Sequence, residues 1–83
     1  METKTLEGKT ALITGAGQGM GLAGGLKLAS LGANIAMNDI DDTRAERAVQ
    51  TVVSTGRNAA SVVADITTKT EVCRMVDETI SAF

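Results

Sequence analysis

The chain has 83 residues, enough for one domain at most, and only one of its hydrophobic residues is aromatic, so its core must be aliphatic. Its net charge is −2 and its eight Lys and Arg residues are scattered, which leaves no basic surface for nucleic acid or for an anionic membrane. One cysteine and no histidine exclude an intrachain disulfide and an ordinary zinc site.

Short apolar runs alternate with helical patterns along the whole chain. In chain order, the predicted elements are a strand at 10–14, a helix from about 19 to 31, a strand at 34–38, a helix from 43 to about 55, a strand at 59–64 and a helix from 69 to 83. This alternation, with short connections, favours parallel strands joined by right-handed crossovers. The predicted fold is therefore an α/β, Rossmann-type βαβαβα half with strand order 3-2-1 and helices on the faces.

Two helix starts have the spacing of a capping box. Thr43 precedes Glu46 by three residues, and Thr68 precedes Glu71 in the same way, so each threonine is predicted to be an N-cap. The last helix then carries the clearest apolar stripe of the chain, which is formed by Val72, Met75, Val76, Thr79, Ile80 and Phe83.

A glycine pair, Gly24-Gly25, lies inside the first predicted helix, where it costs roughly 1.5–2 kcal/mol relative to alanines. Two explanations stay open. The helix could approach the sheet or a cofactor closely at this point, or the pair could be a tolerated local weakness.

A glycine-rich loop joins the first strand to the first helix. Its spacing departs from G-x-G-x-x-G and from the P-loop but fits T-G-x-x-x-G-x-G, with Thr14, Gly15, Gly19 and Gly21 at the named positions. Gly15 would let the chain turn sharply out of the strand, and Gly21 would permit close packing of helix on strand. Gly19 and the N–H groups around Gln18 and Met20 could face a pyrophosphate at the positive end of the helix dipole. The alternative is a turn that is rich in glycine for steric reasons alone.

This loop resembles that of the short-chain dehydrogenase/reductase family, and the resemblance extends along the chain. Residues 6–15 are similar to the family's first strand, 31–35 to its entry into the second strand, and 64–67 to the segment after the third. The resemblance implies the N-terminal, NAD(H)-binding segment of an oxidoreductase that transfers a hydride between NAD(H) and an alcohol or carbonyl substrate.

Three further residues are candidates for holding the adenosine half of the cofactor. Asp39 ends the second strand 24 positions after Gly15, near the usual separation for a carboxylate that binds the ribose hydroxyls. A carboxylate there repels a 2′-phosphate and Ile40 supplies no cation, so NAD is favoured over NADP. The alternative is that Asp39 caps the next helix, although Asp41 or Asp42 could also do so. The resemblance implies that Asp65 accepts from the adenine amino group with Ile66 beside the ring; alternatively, Asp65 is a turn or helix-start residue.

The family's catalytic Tyr-x-x-x-Lys pair is absent because the chain contains no tyrosine, and Ser54, Ser61 and Ser81 match no catalytic position. We therefore predict no catalytic residue here, and we interpret residues 1–83 as the N-terminal dinucleotide-binding portion of a single Rossmann domain. Such a fragment would be marginally stable, bind NAD weakly and associate with a complementary C-terminal segment or with itself. The alternative is a non-catalytic dinucleotide-binding or interaction module that is complete at 83 residues.

The polar N-terminus is not typical of a signal peptide, and no apolar run approaches the ~20 residues of a spanning helix. Together with the single cysteine, these features favour a cytoplasmic protein.

Overall fold

The computed structural model describes residues 5–15 and 19–83. In chain order, the elements are β1 (Thr10–Ile13), α1 (Gly19–Ser30), β2 (Asn34–Asp39), α2 (Asp42–Val53), β3 (Ala59–Val63) and α3 (Lys69–Ala82). All six predicted elements are confirmed, with boundaries that move by two residues or fewer. Within the described ranges, no helix is both long and apolar enough to cross a membrane.

The three strands form one parallel sheet in the order β1-β2-β3, which confirms the predicted topology. The central strand β2 is buried from Ile35 to Asp39, as expected for a strand covered on both faces. Asp39 pairs in register with Val63 of β3. The carboxyl end of β2 therefore lies at the middle of one edge of the sheet.

Successive side chains of β2 point to opposite faces of the sheet, and each face has its own core. Ile35 and Met37 pack with Val52 and other residues under α1 and α2. Ala36 packs on the opposite face with Val62 and with Met75 of α3. The two crossover helices α1 and α2 thus cover one face of the sheet, and α3, which follows β3, covers the other.

The structure confirms one predicted N-cap and corrects the other. The Thr68 hydroxyl accepts a hydrogen bond from the Glu71 N–H at 3.3 Å, as expected. The N-cap of α2, however, is Asp41, whose Oδ1 accepts from the Arg44 N–H at 3.0 Å. The prediction of Thr43 was wrong because the helix already begins at Asp42, so the residue with extended backbone just before it, Asp41, is the one whose side chain meets the first free N–H groups.

The two glycines inside α1 have different environments. A Cβ on the buried Gly25 would lie 3.1 Å from Cδ1 of Ile13 and 3.1 Å from Cε of Met37, whereas a Cβ on Gly24 would meet no atom within 4 Å. Close approach of the helix to β1 and β2 therefore explains Gly25. Nothing in the structure explains Gly24.

The apolar stripe of α3 is only partly used against the sheet. Met75 and Thr79 are buried, but Ile80 is 70% exposed, and Val76 and Phe83 are exposed as well. Since the sheet in the described part of the chain has three strands, α3 overhangs it and leaves half of its stripe uncovered.

Candidate functional site

A cleft of about 330 Å³ lies across the carboxyl ends of the three strands. Its lining residues are Gly15, Asn38, Asp39, Ile40, Arg44, Ala64, Asp65, Ile66 and Thr67. Four of the predicted site residues, one after β1, one at the end of β2 and two after β3, are thus brought together. In open parallel sheets this edge is where ligands bind, because the loops that follow the strands converge there.

The first wall of the cleft is the turn that follows β1. Gly15 has φ of +63°, a conformation in which any side chain is strained, and a Cβ placed there would meet no atom of residues 5–15 and 19–83 within 4 Å. Gly19, Met20 and Gly21 form the first turn of α1 and do not themselves line the cleft; Met20 is 92% exposed. Gln18, the remaining predicted contact of this loop, lies outside the described residues.

Asp39 supplies a buried carboxylate to the middle of the cleft. Its side chain is only 5% exposed. Oδ1 accepts from the Asp41 N–H at 3.0 Å and lies 3.2 Å from Nη2 of Arg44. The alternative that Asp39 caps α2 is wrong, because Asp41 holds that position.

Arg44 is a cleft residue that sequence reasoning missed. With Thr43 taken as the N-cap, Arg44 would be the first helical residue; with Asp41 as the true N-cap it is the third. Arg44 therefore lies on the first turn of α2, next to the buried Ala45. Because side chains of a helix lean toward its N-terminus, Arg44 then reaches back to the end of β2 and contacts Asp39. The spacing of five residues between an aspartate and an arginine was the available signal, but it is informative only once the cap is placed.

Asp65 forms the opposite wall and makes a local turn. Its Oδ1 accepts from the Thr67 hydroxyl at 2.7 Å and from the Thr67 N–H at 3.0 Å. These two hydrogen bonds, the hydroxyl's first, lower the pKa of the Asp65 carboxyl. The predicted alternative of a turn residue is therefore observed. It leaves the adenine role open, because no hydrogen bond from the described residues is made to Oδ2; the neighbouring Ile66 is 48% exposed.

Asn38 ties the two halves of the cleft together, and sequence reasoning had treated it only as strand. Its buried Nδ2 donates to the carbonyl oxygens of Val62 at 2.9 Å and Ala64 at 3.3 Å. The amide thereby holds the chain leaving β3 against the end of β2, and so sets where Asp65 lies relative to Asp39. A polar residue inside an otherwise apolar buried strand was the signal for this role.

Arg74 of α3 fastens the same end of β3 from outside. Its Nη2 donates to the Val63 carbonyl at 2.7 Å, and the guanidinium also binds Glu71 and Glu78 on its own helix. The hydrogen bonds that Arg74 donates to Glu71 are the main cause that raises the pKa of Arg74, and the same contact lowers the pKa of Glu71.

The rest of the described surface holds none of the predicted site residues in a second cleft and no cluster suited to a metal ion. A larger depression of about 660 Å³ is lined by α3 alone and holds none of the predicted residues. Within residues 5–15 and 19–83, no group of three or more His, Cys, Asp or Glu is placed to hold a metal ion.

Comparisons with known proteins agree with this geometry. Residues 9–83 match the sequence profile described as short chain dehydrogenase. The hydroxynaphthalene reductase-like protein Arp2 of Metarhizium acridum is 40% identical over 81 residues, which are 96% of this chain and 30% of that protein. The chain spans about a third of the length of the curated relatives it matches.

Solved structures with this fold include complexes with a dinucleotide. A short chain dehydrogenase/reductase from Burkholderia phymatum in complex with NAD is 36% identical, with a TM-score of 0.88 over 94% of this chain and 28% of that one. A 7α-hydroxysteroid dehydrogenase complexed with NADH and 7-oxo glycochenodeoxycholic acid is 33% identical, with a TM-score of 0.90 over 98% of this chain and 32% of that one.

Proposed function

The chain belongs to the short chain dehydrogenase family, and on that premise we propose that it is the NAD-binding portion of an oxidoreductase. The observation that carries the proposal is the cleft at the carboxyl ends of the strands, which gathers Gly15, Asp39 and Asp65 from the ends of three different strands or just beyond them. The whole protein would transfer a hydride between NAD(H) and an alcohol or carbonyl substrate.

The residues of the cleft fit the adenosine half of NAD. Asp39 would accept hydrogen bonds from the ribose hydroxyls, since it carries a carboxylate at the end of the central strand. Asp65 would accept from the adenine amino group through Oδ2, because Oδ1 is already engaged by Thr67. Ile66, which is half exposed beside it, would cover one face of the ring.

The start of α1 fits the pyrophosphate. No atom of the described residues lies within 4 Å of where a Cβ on Gly15 or Gly19 would sit, so phosphate oxygens could approach the backbone closely. The first turn of α1 contains no acidic side chain, and its unpaired N–H groups carry the positive end of the helix dipole. Met20 and Gln18 would contribute backbone N–H groups, and Gly21 would allow the helix to lie close to the sheet.

The nicotinamide of a bound NAD would supply the hydride acceptor or donor. The residues of this chain would bind and orient the adenosine and pyrophosphate, because the chain has no tyrosine to act as the family's proton donor. We therefore propose that residues 1–83 form the N-terminal part of one Rossmann domain, that catalytic residues come from a complementary C-terminal segment, and that the chain associates with that segment or with a second copy. The reductase and dehydrogenase names of its relatives favour this over a non-catalytic module.

The free thiol of Cys73 favours a reducing compartment. The proposed location of the protein is accordingly the cytoplasm.

The test is a calorimetric titration of ADP and of 2′-deoxy-ADP into the wild-type chain and into Asp39→Asn. A hydrogen bond to a charged group is worth about 1.5–3 kcal/mol, so the variant should bind ADP roughly 10- to 100-fold more weakly. For 2′-deoxy-ADP, wild type and Asp39→Asn should differ much less in affinity, because neither protein can then make the hydrogen bond to the 2′-hydroxyl.

Asp42→Asn is the matched control, since it makes the same charge change on the exposed first turn of α2 and outside the cleft. It should leave both affinities within about twofold of wild type. Equal losses of ADP affinity in the two variants, or an Asp39→Asn effect that is the same for both ligands, would contradict the assignment of Asp39 to the ribose.

A further inference from the structure

A buried side chain of β2, that of Asn38, holds the segment that leaves β3. Asn38 lines the cleft but is only 2% exposed. Its Nδ2 donates to the carbonyl oxygens of Val62 at 2.9 Å and Ala64 at 3.3 Å. Because both partners are acceptors, the position requires a group with two hydrogens to donate, which a primary amide supplies and a hydroxyl or a carboxylate does not.

Backbone pairing between β2 and β3 weakens at the same point. The strand β3 ends one residue before Ala64, and the backbone contact from the Ala64 N–H to the Asp39 carbonyl is 3.4 Å long. On the side of α3, the Asp65 N–H interacts with the carboxylate of Glu71. That carboxylate is 36% exposed, so solvent weakens the contact. The amide of Asn38 is therefore the buried side-chain contact that fixes the chain just before Asp65.

The two carboxylates of the cleft are held by different contacts. Asp39 is fixed from α2 and its cap, through the Asp41 N–H at 3.0 Å and Arg44 at 3.2 Å. Asp65 accepts from Thr67 within its own turn, so its place relative to β2 depends on what holds that turn. Loss of the amide that binds the end of β3 would therefore move the second carboxylate with respect to the first.

We propose that Asn38 is a positioning residue that sets the base preference of the nucleotide site. It holds Asp65 where this carboxylate meets the 6-amino group of an adenine whose ribose is bound at Asp39. The inference rests on the proposed function, because it concerns the same site. Without the amide, the site keeps its contact with the ribose and loses its preference for a 6-aminopurine over a 6-oxopurine.

The test is a calorimetric titration of the full chain with ADP, with inosine diphosphate, which has an oxygen in place of the 6-amino group, and with 2′-deoxy-ADP. Wild type should bind ADP roughly tenfold or more tightly than inosine diphosphate, because the latter cannot donate to the carboxylate. In Asn38→Leu this ratio should fall to about threefold or less, since a displaced carboxylate makes a longer and misaligned hydrogen bond. The ratio of ADP to 2′-deoxy-ADP affinity should stay within about twofold of wild type, because Asp39 keeps its contacts with α2.

These two ratios separate positioning from a merely structural role. A variant that is partly unfolded loses apparent affinity for all three ligands by the same factor, so neither ratio changes. Asn38→Thr is a second variant, in which a β-branched residue suits the strand. It should also lower the ratio of ADP to inosine diphosphate affinity, because one hydroxyl hydrogen cannot serve two carbonyls.

Asn58→Leu is the matched control. The Asn58 amide donates to Oδ1 of Asn34 at 3.2 Å, and so it also links β3 to β2, but at the opposite edge of the sheet and outside the cleft. This variant should leave both ratios within about twofold of wild type.

An unchanged ratio of ADP to inosine diphosphate affinity in both Asn38 variants, or a fall of both ratios together, would overturn the inference. Equal affinities of wild type for ADP and inosine diphosphate would instead contradict the proposed contact of Asp65. No binding of ADP to wild type would contradict the proposed function. Both of these results concern the wild-type chain and are thus distinguishable from a failure of the inference about Asn38.

Discussion

Adding one methyl group to α1 at Gly25 should measure how closely this helix approaches the sheet beneath the glycine loop. Gly25→Ala gains about 1 kcal/mol of helix propensity, as any exchange of an interior glycine for alanine does. The new Cβ, however, would lie 3.1 Å from Cδ1 of Ile13 and Cε of Met37, and 3.3 Å from Sδ of Met37. Overpacking of this kind costs about 1–3 kcal/mol, so we expect a net effect between zero and about 2 kcal/mol of destabilisation.

Gly24→Ala provides the internal reference, because it is the next residue of the same helix and its Cβ would meet no atom within 4 Å. It should gain the full helix propensity of about 1 kcal/mol without crowding. The free energies of unfolding of the two variants should therefore differ by about 1–3 kcal/mol, with Gly25→Ala the less stable. In a domain of this size, each 1 kcal/mol corresponds to about 4–8 °C in Tm.

The assay is urea and thermal unfolding followed by far-ultraviolet circular dichroism, since the chain has no tryptophan or tyrosine for fluorescence. A steric origin is checked with Ile13→Val, which removes the Cδ1 atom that crowds the new methyl group. Combined with Gly25→Ala, it should cost less than the 0.5–1.5 kcal/mol expected of an isolated Ile-to-Val change. Equal stabilisation by Gly24→Ala and Gly25→Ala would refute the reasoning.

Two further predictions concern the ties that hold the end of β3. Asn38→Leu should destabilise the chain by about 2–3 kcal/mol, because the buried carbonyls of Val62 and Ala64 then lose the side-chain amide that donates to them. The control in the same urea titration is Asn58→Ala, because Asn58 is exposed and, among the described residues, its side-chain amide donates to Asn34 alone. The second concerns pH: Arg74 lowers the pKa of Glu71 below its ordinary 4.5, so this contribution to stability is present above that value and is lost as the pH falls through the lower, folded pKa. Arg74→Gln should therefore flatten the decline in urea midpoint between neutral pH and about pH 2.5, whereas an equally steep decline in wild type and variant would show that the pair does not contribute.

Much of the fold follows from patterns that span only a few residues. The apolar runs at β1, β2 and β3 and the turn signals between them predict the element order, because neighbouring residues alone decide whether a segment alternates or repeats like a helix. The parallel order follows from the strand–helix alternation, since a crossover helix leaves few other arrangements. The Thr68 cap is likewise local, as it joins residues three apart.

The predicted cleft residues come together for the same reason. Gly15, Asp39 and Asp65 each follow or end a strand, and parallel strands bring their carboxyl ends to one edge. Their sequence positions were therefore sufficient to place them on one side of the sheet. The hydrogen-bond and ion-pair partners of these residues were not predictable in the same way. One carboxylate oxygen of Asp65 accepts a hydrogen bond from Thr67, and Oδ1 of Asp39 contacts the Arg44 guanidinium.

The sequence by itself thus determined the layers, the strand order and the edge where a ligand can bind, because these depend on short-range periodicity and on the geometry of parallel sheets. Only the tertiary structure decided which charges meet at that edge and which hydrogen bonds hold the ends of the strands together there. Arg44 of α2 contacts Asp39 of β2, so the carboxylate at this edge is part of an ion pair between two elements. Asn38 donates to carbonyl oxygens 24 and 26 residues away. Side chains from two strands occupy the space beside Gly25 where a Cβ would lie. Such contacts depend on how packed elements sit against one another, and no pattern within a single element carries that information.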